Sequence, residues 1–299
     1  MSNSIETSKL GKSFGGNAAV KGLDLAVPEG TVFAFLGPNG SGKTTTIKML
    51  MNIIRPSHGE AAVMGVKSTE LGAKEFAQIG YVSENQEIPE WMTLGRLLRY
   101  CKPFYPTWDD GFCERLLKQY QLPLDRPLKS LSRGMKMKAT LLSSLVYRPR
   151  LLVLDEPFSG LDVLVRDEFV RGVLELSEQE KWTVFVSSHD IDEVERLADW
   201  VGIIKEGELQ LCEPASSLQA RFRKIDAVLS SDGADLGQVP RSWLLVERAG
   251  HRLSLVESQY RDGETERELR SRVAGCEQID ASPMSLRDIF LTLARTYQL

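Results

Sequence analysis

Short apolar runs, separated by polar and glycine-rich segments, recur along the first two thirds of the chain. The clearest are residues 31–36, 151–154 and 183–186, which are rich in leucine, β-branched and aromatic side chains. A strand that is buried on both faces needs such an uninterrupted run, so each predicts a central strand. Helix-like spacing over residues 45–52 and 162–180 alternates with these runs. This alternation indicates βαβ units, and hence an α/β fold with a parallel sheet.

The middle and the end of the chain follow other patterns. Residues 85–150 contain several prolines between helix-like stretches, so a mainly helical segment is expected there. From about residue 220, alternating strand-like and helix-like segments predict a small α+β appendage. The strand-like segments are 225–230, 243–246 and 252–256, and helix-like spacing occurs at 261–273 and 285–297. Before this region, within the alternating part of the chain, a further helix is predicted over residues 191–200. We therefore divide the chain into residues 1–219, with the helical part at about 85–150, and an accessory domain at 220–299.

Composition favours a folded protein and limits its partners. Hydrophobic residues make up 42% of the 299 residues and charged residues 26%, so a substantial core can form. A net charge of −4 argues against a nucleic-acid-binding surface as the main function, and we expect no nucleic-acid partner. The four cysteines have no Cys-x-x-Cys spacing, so neither a zinc site nor a disulfide framework is predicted.

The sequence contains neither a signal-peptide pattern nor a membrane-spanning run. Its N-terminus has no basic segment leading into an apolar stretch, and no run approaches the ~18 apolar residues of a spanning helix. We therefore expect a cytoplasmic protein.

A glycine-rich segment at the end of the first apolar run matches the phosphate-binding loop pattern in full. Its residues are Gly37, Pro38, Asn39, Gly40, Ser41, Gly42, Lys43 and Thr44, followed by Thr45. Glycines between a strand and a helix let backbone N–H groups close around phosphate oxygens, and the helix N-terminus adds a favourable dipole. Lys43 would reach the β- and γ-phosphates, and the Thr44 hydroxyl would ligate Mg²⁺. The segment predicts a nucleoside triphosphate site formed by residues 37–45.

Two carboxylates follow the apolar run at 151–154. A buried parallel strand would deliver Asp155 and Glu156 to its C-terminal edge, where α/β proteins bind their ligands. Asp155 would belong to the Mg²⁺ shell, and Glu156 would act as a general base on an attacking water. An Asp-Glu pair is common by itself, but a phosphate-binding loop upstream makes the pattern much more specific.

The segment Leu131-Ser132-Arg133-Gly134-Met135-Lys136 lies between these motifs. Here the chain resembles the ATP-binding subunits of ABC transporters, whose signature is Leu-Ser-Gly-Gly-Gln. The resemblance covers about residues 5–215. It implies the cassette of that P-loop NTPase family, with a parallel-sheet core, antiparallel N-terminal strands and an inserted helical subdomain.

The resemblance also implies roles for matching residues elsewhere. Phe14 would stack on adenine, and Asp162 would belong to the loop that communicates across a nucleotide-bound dimer. His189 matches the switch histidine that contacts the γ-phosphate. The implied catalytic residues are Glu156, His189 and Lys43.

Family members act as dimers in which each ATP is shared. Ser132 and Gly134 of one subunit would contact the γ-phosphate bound by a second ATP-binding subunit, identical or different. The resemblance therefore implies an ATPase, with ATP and Mg²⁺ as cofactors, that energises transport through separate transmembrane permease subunits. It would lie peripherally on the inner face of the cell membrane, and its motifs are most similar to those of single-cassette bacterial exporters.

Three positions depart from the family pattern. Arg133 stands where the signature has its first glycine, and Met135 where it has glutamine. An arginine beside a triphosphate is electrostatically favourable, although a solvated arginine fits the sequence equally well. Glu84 takes the place of another family glutamine, and Gln86 lies two positions further. We assign Glu84 as a Mg²⁺ ligand, since a carboxylate can replace an amide oxygen, with Gln86 as the alternative.

Other functions remain to be compared with this one. A soluble ABC-type ATPase of translation or DNA repair is the main alternative, but it would carry tandem cassettes or long coiled coils, which this sequence lacks. A GTPase or kinase would not explain residues 131–134, and intact catalytic positions disfavour a regulator that does not hydrolyse ATP. The region after residue 220 suits either a stabilising or dimerising appendage or a ligand-sensing regulatory domain.

Overall fold

The computed structural model describes residues 2–84, 86–193, 195–230, 239–273 and 275–297. The chain forms two units, Met1–Cys212 and Glu213–Leu299. In chain order, the strands and α-helices that begin in the first unit are β1 (Asn3–Phe14), β2 (Asn17–Leu23), β3 (Ala26–Pro28), β4 (Val32–Leu36), α1 (Lys43–Leu50), β5 (His58–Val63), β6 (Val66–Lys67), α2 (Ala73–Phe76), β7 (Ile79–Ser83), α3 (Leu94–Cys101), α4 (Asp110–Tyr120), α5 (Arg133–Leu145), β8 (Leu151–Asp155), α6 (Val163–Glu180), β9 (Thr183–Ser188), β10 (Trp200–Lys205) and β11 (Glu208–Pro214). Among the described residues, no helix is long and apolar enough to cross a membrane.

A six-stranded sheet in the order β11-β10-β4-β9-β8-β7 forms the centre of the first unit. The pairs from β10 to β7 are parallel, as the apolar runs predict. Their register places Ser83 and Ser187 on either side of Asp155, and Leu36 beside Ser188. Four strands therefore end at one edge of the sheet, where their last side chains and following loops meet.

The apolar runs fill the core beneath this edge. Phe33, Phe35 and Phe185 are fully buried, and the ring of Phe185 lies 5.6 Å from that of Phe33 and 5.4 Å from that of Phe35. The N-terminal strands form a separate antiparallel sheet, in the order β2-β1-β5-β6 with β3 on β1. These two sheets confirm the predicted α/β architecture.

Three helices, α3, α4 and α5, occupy the segment predicted to be helical. Each begins at a polar residue that accepts a hydrogen bond from a backbone N–H two or three positions into the helix: Thr93, Asp109 and Ser132. The last of these caps places the start of α5 directly at the signature motif.

The predicted helix over residues 191–200 is wrong. The described residues there form a short 3₁₀ turn at Ile191–Glu193, and β10 already begins at Trp200. The Ser188 hydroxyl accepts a hydrogen bond from the Asp190 N–H and also contacts the Asp190 carbonyl, both at 3.0 Å. Such local side-chain bonds compete with helix formation.

The second unit contains α7 (Ala215–Arg221), β12 (Arg223–Leu229), β13 (Trp243–Ala249), β14 (Arg252–Glu257), α8 (Glu264–Arg272), β15 (Cys276–Pro283) and α9 (Leu286–Tyr297). Its antiparallel sheet has the order β13-β14-β12-β15. The predicted α+β appendage is therefore present. No strand was predicted over β15, because its sequence is largely polar.

Candidate nucleotide site

The phosphate-binding loop follows β4 and needs its glycines for conformation and space. Gly40 and Gly42 have φ values of 81° and 109°, in the left-handed region that side chains disfavour. A Cβ on Gly37 would collide with the carbonyl of Ile204. Pro38 and Asn39 are exposed, whereas Thr44 and Thr45 are half-buried in the first turn of α1.

The Lys43 ammonium lies at the centre of this loop and is 5% exposed. It donates hydrogen bonds to the carbonyls of Gly37 at 2.6 Å and Pro38 at 3.1 Å. The buried Ser41 hydroxyl has no hydrogen-bond partner in the described ranges of the chain. A buried cation beside an unsatisfied hydroxyl fits the oxygens of a bound phosphate.

Asp155 ends β8 among hydroxyl groups. Thr44 and Ser187 donate to its Oδ1 at 3.0 and 2.9 Å, and the Ser83 hydroxyl lies 3.5 Å from Oδ2. Burial raises the pKa of the Asp155 carboxyl, and the hydrogen bonds from Ser187 and Thr44 oppose that rise. A divalent cation would favour the charged form of this carboxyl.

The Thr44 and Asp155 oxygens fit Mg²⁺, which usually takes one or two protein carboxylates together with phosphate oxygens and waters. Over the residues that the structure covers, no group of three or more His, Cys, Asp or Glu side chains is placed to hold a metal ion.

Glu156 lies between two nitrogen groups. Its Oε1 is 3.0 Å from the Lys43 ammonium, and its Oε2 is 2.8 Å from Nδ1 of His189. The backbone at Glu156 has a φ of 50°, and its N–H donates to the Ser187 hydroxyl at 3.1 Å. The carboxylate is therefore held in one orientation, as a general base requires.

Glu84, the predicted Mg²⁺ ligand, has other partners in this structure. Its Oε1 accepts hydrogen bonds from Arg133 at 2.6 Å and from the Ser159 hydroxyl at 2.8 Å. Its backbone N–H donates to the Asp155 carbonyl at 3.0 Å, which places the residue beside the site. Gln86 instead accepts from the Ser83 N–H at 3.3 Å. The metal-binding role of Glu84 stays a prediction.

The signature residues and Asp162 stand at helix starts. Ser132 and Asp162 accept hydrogen bonds from the backbone N–H groups of Met135 and Val165, at 3.2 and 2.9 Å. Gly134 lies close to the Val165 side chain. No hydrogen bond or ion pair joins Ser132 or Gly134 to the phosphate-binding loop within the described chain.

Phe14 ends β1 with 52% of its surface exposed, and the Lys12 ammonium lies 5.2 Å from its ring centre. An exposed aromatic face of this kind suits stacking on a base.

Sequence reasoning missed the serines around the acids. Ser83 is the last residue of β7 and Ser187 the last but one of β9, the strands on either side of β8, and their hydroxyls contact Asp155. The available signal was a small polar residue at the end of an apolar run, two residues before His189 in the case of Ser187.

Comparison with known proteins identifies the family. A family model described as ABC transporter matches residues 20–159. The bacitracin transport ATP-binding protein BcrA of Bacillus licheniformis is 33% identical over 226 residues, which span 75% of this chain and 74% of that protein. The chain belongs to the ATP-binding proteins of ABC transporters. It is therefore an ATP-binding and ATP-hydrolysing subunit that energises transport, as the motifs predict.

Other relatives agree with this assignment. The daunorubicin/doxorubicin resistance ATP-binding protein DrrA of Streptomyces peucetius is 35% identical over 219 residues, or 69% of this chain and 63% of its own length. The solved structure of an ATP-binding subunit of an ABC transporter aligns with a TM-score of 0.65 and 25% identity, over 72% of this ABC ATPase and 92% of the solved chain. The predicted cassette fold is confirmed.

We expect Ser187→Ala to lower the free energy of unfolding of this ABC ATPase by about 1–3 kcal/mol, because a buried carboxylate and a backbone N–H lose their shared partner. ATP hydrolysis should fall with it, since Asp155 and Glu156 both depend on that hydroxyl. Urea unfolding and phosphate release measure the two effects. The exposed Ser130→Ala is the matched control, and equal values for both variants would contradict the assigned role.

Proposed function

We propose that residues 37–45 and Asp155 bind Mg-ATP, and that Glu156 is the general base of hydrolysis. The observation that supports this most directly is the connection of Lys43, Glu156 and His189. One carboxylate lies 3.0 Å from a buried ammonium and 2.8 Å from an imidazole, at the sheet edge beside Asp155. Phe14 would stack on the adenine.

Each side chain at this edge of the sheet has a different role in the proposed hydrolysis of ATP. Glu156 takes a proton from the attacking water, whose oxygen bonds to the terminal phosphorus as the bond to the ADP oxygen breaks. Lys43 neutralises charge on the phosphate oxygens, and His189 orients the carboxylate. When bound, Mg²⁺ neutralises further phosphate charge, held by Thr44 and Asp155, with Glu84 as the additional predicted ligand.

We also propose that each ATP is shared between two copies of an ATP-binding subunit. Ser132 and Gly134 have no bond to the phosphate-binding loop of their own chain in the part described. Their predicted phosphate contacts would therefore be made to a nucleotide on the opposite copy, with Asp162 near the same boundary. ATP binding would then favour dimer closure, because one subunit by itself supplies only part of the contacts.

A groove in the cassette suits the proposed membrane partner. Its volume is about 440 Å³, and its lining is mostly apolar. Sheet-side residues such as Met51 and Ile79 form one wall, and Leu97 and Tyr105 of the helical segment form another. We propose that transmembrane permease subunits dock here, so that the ATPase lies on the cytoplasmic face of the membrane. The alternative, a soluble ATPase of translation or repair, is supported by no relative described above.

Glu156→Gln should retain ATP affinity while hydrolysis falls about 100-fold or more, as expected for the loss of a general base. Lys43→Ala should weaken ATP binding itself, because the buried cation is lost. Calorimetry and phosphate release separate the two effects. Glu60→Gln, on an exposed carboxylate paired with Lys67, should match the parent protein. Hydrolysis by Glu156→Gln at the parent rate would refute the assigned base.

Mixing Ser132→Arg protein with Lys43→Ala protein should restore at most one working site in each mixed dimer, because the two defects then fall on the same site. Sedimentation of Glu156→Gln should show a dimer with Mg-ATP and a monomer without it. A monomer that hydrolyses ATP at a rate strictly proportional to protein concentration would contradict the shared site.

We propose that the nucleotide chemistry lies within the predicted domain 1–219 and that the C-terminal unit, which here begins at Glu213, is an accessory domain. Every assigned site residue lies within Met1–Cys212, and α7 belongs to the second unit. A truncated chain that ends after β11, at Pro214, therefore removes the C-terminal helices and strands without removing any assigned site residue. This chain should bind Mg-ATP with nearly the affinity of the full-length protein in calorimetry. A tenfold loss, about 1.4 kcal/mol, in a folded truncation would mean that the C-terminal region contributes to the site.

A further inference from the structure

Two ion pairs join the segment after β7 to the first turn of α5. Arg133 Nη2 lies 2.6 Å from Oε1 of Glu84, and the Lys136 ammonium lies 2.5 Å from Oε1 of Glu90. Arg133 and Lys136 are three positions apart, so they share a face of the helix. A cavity of about 480 Å³ lies alongside these pairs.

The Arg133 pair also includes the loop that follows Glu156. The Ser159 hydroxyl donates to the same Glu84 oxygen at 2.8 Å. Gly160 has a φ of 65°, and a Cβ there would collide with the Arg133 guanidinium. Two loops thus meet the arginine at the start of α5, and the absence of a side chain on Gly160 leaves room for the guanidinium.

The ion pair between Arg133 and Glu84 can break at little cost in free energy. The Arg133 side chain is 54% exposed and that of Glu84 is 29% exposed, and ion pairs at such exposure contribute little to stability. A terminal phosphate carries more negative charge than one carboxylate, and a guanidinium can donate two hydrogen bonds to it at once. Arg133 also lies between Ser132 and Gly134, the two residues placed at the opposite copy's phosphate.

We propose that Arg133 binds the terminal phosphate of the nucleotide held by the second copy, and that Glu84 holds the guanidinium until this phosphate displaces it. This inference rests on the proposed shared site. In the single chain, the Glu84 carboxylate is occupied by Arg133 and Ser159. Displacement removes the cation from the Glu84 carboxylate, and the backbone N–H of the same residue donates a hydrogen bond to the Asp155 carbonyl. Binding of a second copy would therefore change the partners of Glu84, which lies next to Asp155, the proposed metal ligand.

The binding of Arg133 to the opposite copy's nucleotide is tested by mixing Arg133→Met protein with Lys43→Ala protein. If Arg133 acts on the opposite copy's nucleotide, each mixed dimer has one site with both residues intact, and ATPase activity should rise about tenfold or more over either variant by itself. If Arg133 acts only within its own chain, both sites of the mixed dimer are defective and no activity returns.

The mixture of Ser132→Arg with Lys43→Ala distinguishes the role of Arg133 from the existence of the shared nucleotide site. Recovery with Ser132→Arg but not with Arg133→Met would overturn the role of Arg133 and leave the shared site standing. Failure of both mixtures would overturn the shared site and this inference together. Arg133→Lys, which keeps the charge but not the planar fork, should lose less activity than Arg133→Met.

The holding role of Glu84 is tested in the Glu156→Gln background, where hydrolysis is blocked. Glu84→Gln removes the charge that holds Arg133 but keeps an oxygen ligand. It should lower the ATP concentration for half-maximal dimerisation, measured by sedimentation, by about threefold or more. Glu90→Gln, which breaks only the Lys136 pair, is the matched control and should leave that concentration unchanged. An unchanged or higher concentration for Glu84→Gln would refute the holding role.

Discussion

The buried ammonium of Lys43 is the interaction on which the geometry of the site depends. A cation with 5% exposure must be compensated, and the carbonyls of Gly37 and Pro38 and the Glu156 carboxylate do this. These groups come from the loops after β4 and β8, which are separated in the sheet by β9. One charge therefore joins loops that are distant in sequence, and it places Glu156, the proposed base, beside the proposed phosphate-binding loop.

Adjacent carboxylates have different environments at this edge, and this difference separates their roles. Asp155 belongs to the buried end of β8, where neutral hydroxyls surround it and burial raises its pKa. Glu156 leaves the strand with a positive φ and meets Lys43 and His189. A single step along the chain thus leads from a candidate metal ligand to a candidate base, because the strand ends between them.

The coupling of this chemistry to other molecules depends on residues outside the phosphate-binding loop. Arg133 replaces a glycine of the family signature and joins Glu84 to the loop of Ser159 and Gly160. Glu84 in turn follows the strand that borders Asp155 and precedes the helical segment with the proposed docking groove. The signature helix, Asp155 and that groove are thereby connected through a short series of contacts.

The sequence by itself determined the parallel sheet, the ABC cassette and the ATPase family, because the apolar runs and the spacing of motifs are local and specific. Only the tertiary structure decided which side chains meet. Ser83 and Ser187 surround Asp155 because parallel register aligns three strand ends, and Glu84 meets Arg133 although 49 positions separate them. The turn at Ile191–Glu193 and the strand β15 were also not predicted from the local sequence pattern. A hydroxyl bonded to nearby backbone opposes the helix predicted from spacing, and partner strands stabilise a polar segment that has little strand signal of its own.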